Sequence, residues 1–470
     1  MNQYPNQNFI EGLQARLRNL KNVRVGVLGF GVSGRAVSEY LIHRGATVIV
    51  YDRVVPVELV GRCDNLSFVE NISTLLESHL EWIFISPGID PRESEIRILN
   101  TKLPILGELE LAKSLMPESI AITGTNGKST VTALTHFFLE SLGLRSFIGG
   151  NFGTPMVELY KEADCPDVAV IELSSYQLET LVTYRPKVAI VLNLTPDHSE
   201  RYNSFESYAA AKERLLSQQT ASDFAILNWD DETTRKMAMN TNAEVFWLSQ
   251  NQPPDSQEWT GLGMNGALMV GRGKLEFLTG CVLEHPSLVG GHHYFNAMAS
   301  LIAAGLITGR LEAEADFLIK SYQDFKGLPH RMEWVAEKDG VVYINDSKAT
   351  NDAASAAALR CMGQTVILLA GGRSKEGGYE ELLLAGRSMV RGVICFGEAK
   401  NEIAEAFGCT YGDQMIIECC DGLHEALLVG AKIARRGEAI LFSPACSSFD
   451  QFKNYQERGN CFKKWVEDIS

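Results

Sequence analysis

Short runs of consecutive apolar residues alternate along this chain with stretches whose apolar positions recur at helical spacing, the pattern of a parallel α/β sheet covered on both faces. The first run, VRVGVLG (23–29), leads into the glycine turn GFGVSG, an amphipathic stretch through AVSEYLIHRG, and a second run, TVIVYD, ending on Asp52. This is a βαβ unit with its glycines in the first turn. EWIFISPG (81–88) repeats the strand-to-loop step, and the unit is complete by Pro104. A second series opens with SIAIT (119–123), passes through GTNGKST, and enters TVTALTHFFLESLG, where Val131, Leu134, Phe138 and Leu142 share one helical face. DVAVIEL (167–173) and KVAIVLNL (187–194) follow as buried strands, then the polar loop SQNQPPDSQEW, and a helical segment over 296–306 closes the series. The third begins near GLPHRMEWV (327–335) and carries the strands VVYIND, TVILLAGG, GVICFG and AILFSPA. Alternation of this kind, three times over, predicts an α/β protein built of three nucleotide-type units.

Length agrees, since 470 residues at roughly 100 to 200 per domain suggest three domains. A net charge of -15 counts against a nucleic-acid partner, which needs a basic face to displace counterions. Anionic ligands must be met locally, by loops and single basic residues. The ten cysteines lack C-x-x-C spacing, so they read as reduced thiols and signal neither zinc nor a disulfide framework. The first twenty residues lack the basic and apolar regions of a signal peptide, and no apolar run approaches the ~20 residues that cross a bilayer. The expectation is a cytoplasmic protein without membrane insertion.

The loop Gly124, Thr125, Asn126, Gly127, Lys128, Ser129, Thr130 sits between a strand and a helix, the setting of a phosphate-binding loop. It ends as a P-loop does, but Ile122 stands where the longer pattern has its first glycine. Two glycines let backbone N–H groups converge on an anion, the helix N-terminus adds its dipole, and Lys128 adds a full charge. Ser129 or Thr130 can hold Mg2+. A plain glycine turn with a solvated lysine is the bland alternative. GFGVSG with Asp52 fits a dinucleotide fingerprint, yet the same glycines serve any pyrophosphate. Glu172 stands at the end of its strand and His198 after the next, and an exposed acid and an imidazole at adjacent strand ends can share a metal near the phosphates.

TGTNGKST, ELSSYQLE, NLTPDHSERY with Lys212 in AAAKERLL, GLPHR, NDSKATN and SPACSSFDQFKNYQERG together resemble the Mur ligase family over essentially the whole chain, and within it the branch that adds D-glutamate. The resemblance implies an N-terminal Rossmann-like domain that binds the UDP substrate (1–106), a central P-loop-type ATPase domain with a mostly parallel sheet (107–327), and a C-terminal Rossmann-like domain that takes the amino acid (328–470). It implies ATP-dependent amide formation between UDP-N-acetylmuramoyl-L-alanine and D-glutamate through an acyl phosphate, in peptidoglycan precursor synthesis. It further implies two Mg2+ ions, a carbamylated lysine, and a monomer.

Residue by residue, the resemblance puts the triphosphate on Gly124 to Thr130, and Mg2+ on Ser129, Glu172, His198 and a carbamylated Lys212. Lys128, Glu172, His198 and Lys212 become the catalytic set. Without the resemblance, Lys212 reads as a solvated helix lysine. Asn296, Arg331, Asp346 and Lys348 match ATP contacts, and His330 opens the third unit. Val32, Ser33, Arg53 and Ser86 match UDP contacts, and Asn151 a contact to the sugar-peptide. Thr350, Lys375, Ser448, Phe449 and Tyr455 match positions around D-glutamate. Two departures stand out: His293 replaces a common asparagine, and Tyr455 a common phenylalanine. An NAD-dependent oxidoreductase would use GFGVSG and Asp52 but leave GTNGKST and NDSKATN idle. A non-enzymatic nucleotide binder would have no use for Lys128, Glu172, His198, Lys212 and Lys348 together. Ligases for L-alanine, a diamino acid or a dipeptide, and folate polyglutamate synthetases, share the loop.

Overall fold

The structure is a computed structural model that describes residues 17, 19–54, 63–198, 201–249, 259–261, 269–271, 291–360, 362–374, 378–387 and 389–469. The chain divides into two compact units, Met1–Phe325 and Lys326–Ser470.

The first unit holds two sheets. One is all parallel, with β1 (Arg24–Leu28) central in the order β3-β2-β1-β4-β5, the others being β2 (Thr47–Tyr51), β3 (Leu66–Val69), β4 (Trp82–Ile85) and β5 (Ile105–Leu106). β1 pairs on both sides, so the chain's two crossovers diverge from it and leave a crevice at its carboxyl end. The GFGVSG turn sits there.

The other sheet has the order β12-β13-β11-β10-β9-β6-β8-β7. Its strands are β6 (Ser119–Thr123), β7 (Ser146–Gly150), β8 (Val168–Glu172), β9 (Val188–Val191), β10 (Phe224–Asn228), β11 (Glu244–Ser249), β12 (Trp259–Gly261) and β13 (Met269–Gly271), parallel from β11 to β7 and antiparallel at β12 and β13. β6, β8 and β9 are buried along their whole length, as their unbroken apolar runs require. Here β6 is the strand from which crossovers diverge, and GTNGKST follows it. The helix Lys128–Ser141 covers one face and is backed by Gly291–Thr308, whose Ser300 hydroxyl donates to Val131 O (3.1 Å).

A single hydrophobic cluster runs from Val25 and Trp82 through Leu109 and Leu111 to Ala169 and Ile171, which joins the two sheets. The connecting helix Glu108–Ala112 is clamped by Glu110, a fully buried carboxyl whose Oε1 accepts from the N–H groups of Val182, Thr183 and Tyr184 (2.8, 2.8 and 3.2 Å). Buried charge is tolerated only with such partners, and each charge-assisted bond contributes about 1.5 to 3 kcal/mol.

The second unit has one sheet, ordered β14-β15-β19-β16-β17-β18. β15 (Val341–Asn345), β16 (Val366–Gly371), β17 (Val390–Phe396), β18 (Ile416–Cys420) and β19 (Ala439–Ala445) are parallel, and β14 (Glu333–Lys338) is an antiparallel edge. β19 inserts between β15 and β16, so the loops after β15 and β19 are neighbours at the carboxyl edge.

Candidate active site

After β6 the backbone turns through two glycines with positive φ, Gly124 (+146°) and Gly127 (+87°). A side chain at Gly127 would have its Cβ 2.8 Å from Asn296 Oδ1, so the turn and the helix Gly291–Thr308 approach as only glycine allows. Asn193, just past β9, braces the loop: its Oδ1 accepts from Asn126 N–H (2.8 Å), its side-chain N–H donates to Asn126 O (3.1 Å), and its carbonyl accepts from Thr125 N–H (2.8 Å). Lys128 curls back and donates to the carbonyls of Gly124 (3.0 Å) and Thr125 (2.7 Å). Ser129 is buried in the first helical turn.

β8 and β9 flank β6 on either side; Glu172 ends β8, and the segment after β9 brings His198 to Tyr176, four residues beyond Glu172. Glu172 is 2% exposed. Asn151 donates to its Oε1 (2.7 Å), whereas Oε2 is buried without a hydrogen-bond partner. His198 has φ +56°, its ring Nδ1 lies 3.0 Å from Tyr176 OH, and its Nε2 lies 3.6 Å from Asp197.

The helix Phe205–Glu213, capped by Ser204, carries Lys212 into this cluster at 2% exposure. Its Nζ donates to Gly124 O (2.9 Å) and lies over the Tyr208 ring (4.8 Å). Burial, and after it the neighbouring Lys128 ammonium, bring Lys212 down from 10.5 to about 7, against the opposing pull of Asp197 and Glu172.

The β1 turn opens on a cavity of about 450 Å3 lined by Gly31, Val32, Ser33, Asp52, Arg53 and Ser86. Asp52 is occupied by its own loops, accepting from Phe30 N–H (2.5 Å) and Val54 N–H (2.9 Å). Ser86 donates to Gly29 O (2.9 Å). Val32 is 76% exposed at the cavity mouth.

In the second unit Asp346 follows β15 and is fully enclosed, accepting from Ser443 Oγ (2.7 Å) and Met332 N–H (3.1 Å); burial pushes its carboxyl up to about 7. Lys348 N–H donates to His330 O (3.0 Å), and its Nζ stands over the Tyr455 ring (5.8 Å). His330 accepts from Asn345 (3.0 Å) and is held below its usual range by burial. Ser448 is buried after β19, while Phe449 is 64% exposed. Arg458 is 1% exposed and donates to Ser347 O (2.8 Å) and Cys446 O (3.1 Å), which ties the loops after β15 and β19 together.

Residues 122–304 match the Mur ligase middle domain, and residues 330–446 the Mur ligase glutamate ligase domain. A relative from Pelotomaculum thermopropionicum named UDP-N-acetylmuramoylalanine--D-glutamate ligase is 35% identical over 459 residues, 96% of this chain and 98% of its own. One of the same name from Citrifermentans bemidjiense is 37% identical over 457 residues, 95% and 98% of the two chains. The chain belongs to the Mur ligase family. Solved structures share the fold: MurF ligase from Thermotoga maritima in complex with ADP has a TM-score of 0.55 at 16% identity, covering 97% of each chain. MurF from Acinetobacter baumannii has a TM-score of 0.56 at 15% identity, covering 96% of this chain and 92% of its own.

In this Mur ligase the structure brings Gly124 to Thr130, Asn151, Glu172, His198, Lys212 and Asn296 around the end of β6, and Val32, Ser33, Arg53 and Ser86 around the end of β1. Arg331, Asp346, Lys348, Thr350, Ser448, Phe449 and Tyr455 lie on the second unit. Lys375 lies outside the described residues. One expectation needs correction: Glu172 is buried, because the Asn151 loop closes over it, and β6 separates it from the strand that leads to His198. The helix that carries Lys212 packs Tyr208 and Lys212 inward, which sets aside the bland alternative of a solvated lysine. Among the described residues, no group of three or more His, Cys, Asp and Glu side chains forms a metal cage. Tyr176, Asn193 and Arg458 were missed by the sequence reading. All three fall inside quoted motifs, Tyr176 in ELSSYQLE, Asn193 in NLTPDHSERY and Arg458 in SPACSSFDQFKNYQERG.

Proposed function

We propose that this Mur ligase joins D-glutamate to UDP-N-acetylmuramoyl-L-alanine at the expense of ATP, in cytoplasmic peptidoglycan precursor synthesis, acting as a monomer of three domains, 1–106, 107–327 and 328–470. The near-full-length identity to relatives that bear that name carries the reading. The acceptor carboxylate attacks the γ-phosphorus, a P–O bond forms and ADP leaves. The amine of D-glutamate then attacks the acyl carbon, phosphate leaves, and the nitrogen gives up a proton. No side-chain nucleophile is needed, so the protein positions and neutralises.

Lys128 leaves the Gly124 and Thr125 carbonyls for the β- and γ-phosphates, while the backbone N–H groups of the turn cradle them. The residues fit Mg2+: Glu172 offers a buried carboxylate oxygen with no other partner, and Ser129 a hydroxyl in the first turn of the helix after β6, the strand beside β8. Glu172 with Ser129 would hold one ion and His198 with Lys212 the second; bound there, Mg2+ supplies neutralisation of charge on the transferred phosphoryl group. An ammonium cannot serve that end. An amine that titrates near 7 is about half free at neutral pH and can take up CO2 as an anionic carbamate, and the fall in the Lys212 value supports this role.

Asn296, Arg331, Asp346 and Lys348 are assigned to ATP; Val32, Ser33, Arg53 and Ser86 to UDP; Asn151 to the sugar-peptide. Thr350, Lys375, Ser448, Phe449 and Tyr455 are assigned to the two carboxylates and stem of D-glutamate. Phosphate release over a panel of UDP-sugar acceptors and amino acids tests the reading. Release is expected only with UDP-N-acetylmuramoyl-L-alanine and D-glutamate together, and equal release with L-alanine or a diamino acid would overturn it.

A further inference from the structure

Glu108 lies in neither of the clusters above, yet it spans the distance between them. It opens the connecting helix after β5 and is 5% exposed. Its backbone is fixed on the central sheet: a Cβ at Gly107 would meet Thr180 Oγ1 at 2.2 Å, and two residues on Glu110 is clamped by three amides. From that base the Glu108 carboxyl meets both sides. Its Oε1 accepts from Val157 N–H (3.1 Å), with Met156 N–H and the Ser33 hydroxyl as further hydrogen-bonding neighbours.

Each partner leads to a site. Ser33 stands in the first turn of the helix Val32–His43 and lines the first cavity. Met156 and Val157 begin the short helix Met156–Lys161, which follows directly on the Asn151 loop. That loop is stiff: Gly150 N–H donates to Thr154 O (3.0 Å), Thr154 N–H to Ile148 O (3.3 Å), and Gly153 has φ +93° with no room for a side chain against Ile148. Asn151 in turn holds Glu172 (2.7 Å).

We propose that Glu108 is a positioning residue that links occupancy of the UDP cavity to the placement of Asn151 and Glu172. The inference rests on reading that cavity as the UDP site. Burial pushes the Glu108 carboxyl above its ordinary range, while the amides of Val157 and Met156 and the Ser33 hydroxyl, all facing it as donors, pull the other way. The amide of Glu108→Gln has the same size and keeps an oxygen to accept from the backbone N–H groups and an N–H that the Ser33 oxygen can accept.

Hydrogen exchange of the full chain with and without saturating UDP, with binding followed by calorimetry, tests the link. In the wild-type protein UDP should slow exchange over 151–157 by at least about fivefold. Glu108→Gln should retain this response, and Glu108→Ala should lose it while still binding UDP. Ser33→Ala at saturating UDP should reproduce the loss from the other end. In turnover, Glu108→Ala should lower kcat more than it raises KM for the UDP substrate. Exchange over 151–157 that ignores bound UDP in the wild-type protein, or that responds equally in Glu108→Ala, overturns the proposal. Absence of UDP binding to the wild-type protein overturns the reading of the cavity and this link with it.

Discussion

The two glycine turns of the first unit, GFGVSG after β1 and GTNGKST after β6, share a plan: a buried central strand, a turn at the point where crossovers diverge, and a helix N-terminus. What surrounds them differs. At the first turn the nearest acid, Asp52, is consumed by the backbone N–H groups of Phe30 and Val54, and the exposed Val32 stands at the rim. At the second, the neighbouring strand ends and one helix bring Glu172, His198, Lys128 and Lys212 together, with one carboxylate oxygen unpartnered and one amine far below its ordinary range. On the proposed reading the glycines make room for phosphate in both places, with the chemistry at the turn whose neighbours hold charge in reserve and binding alone at the turn whose acid is taken up by its own loops.

The largest expected break in this comparison is Glu172→Gln. It removes the charge beside the second turn and leaves the first untouched, so kcat should fall by on the order of 10² to 10³ while UDP affinity holds. Steady-state phosphate release and UDP calorimetry on one preparation check both halves. Lys212→Ala comes next. Loss of roughly 100-fold in activity is expected, with partial recovery when acetate is supplied, since the missing group is an anion. Full activity without additive would remove the carbamate. Asp52→Ala acts on the other turn: two loop N–H groups lose their acceptor, and UDP affinity should fall about tenfold at unchanged KM for ATP.

The smallest effect is on stability. The unfolded chain binds a proton at Lys212 up to 10.5, whereas the folded chain releases it at about 7, so unfolded protein holds more protons across that window and stability from this residue rises with pH. Its cost is full below about 7 and fades toward 10.5. Lys212→Met should therefore raise the urea midpoint most at about pH 6.5 and little at about pH 9.5. A gain that does not depend on pH would mean that the amine is not the source.

Much of this division was legible in the sequence, and particular residues show where it stopped. The long apolar runs at 23–29, 119–123, 167–173 and 187–194 gave the central strands because burial on both faces leaves no polar interruption. The strands β3, β7, β10 and β18 were not singled out: SFIGG and IIECC mix more exposed with buried positions, while FAILN, as long as SIAIT and no less apolar, was missed. Lys212 is the sharper case. In SYAAAKE three alanines give a helix no strong face, so which side packs is decided by Tyr208 and the distant loop at Gly124, and no local pattern marks the lysine as buried. The Glu172–Asn151 pair joins residues twenty-one apart that meet only because β7 and β8 are neighbours.

The central claim is that the second turn takes ATP and the first takes UDP. Titration of wild-type protein and Lys128→Ala with Mg-ATP and, separately, with UDP tests it most directly. Lys128 contributes charge at one turn only, so the variant should lose ATP affinity by at least about tenfold, which is 1.4 kcal/mol, and bind UDP as the wild-type protein does. Unchanged ATP affinity in the variant, or an equal loss of both ligands, would contradict the account.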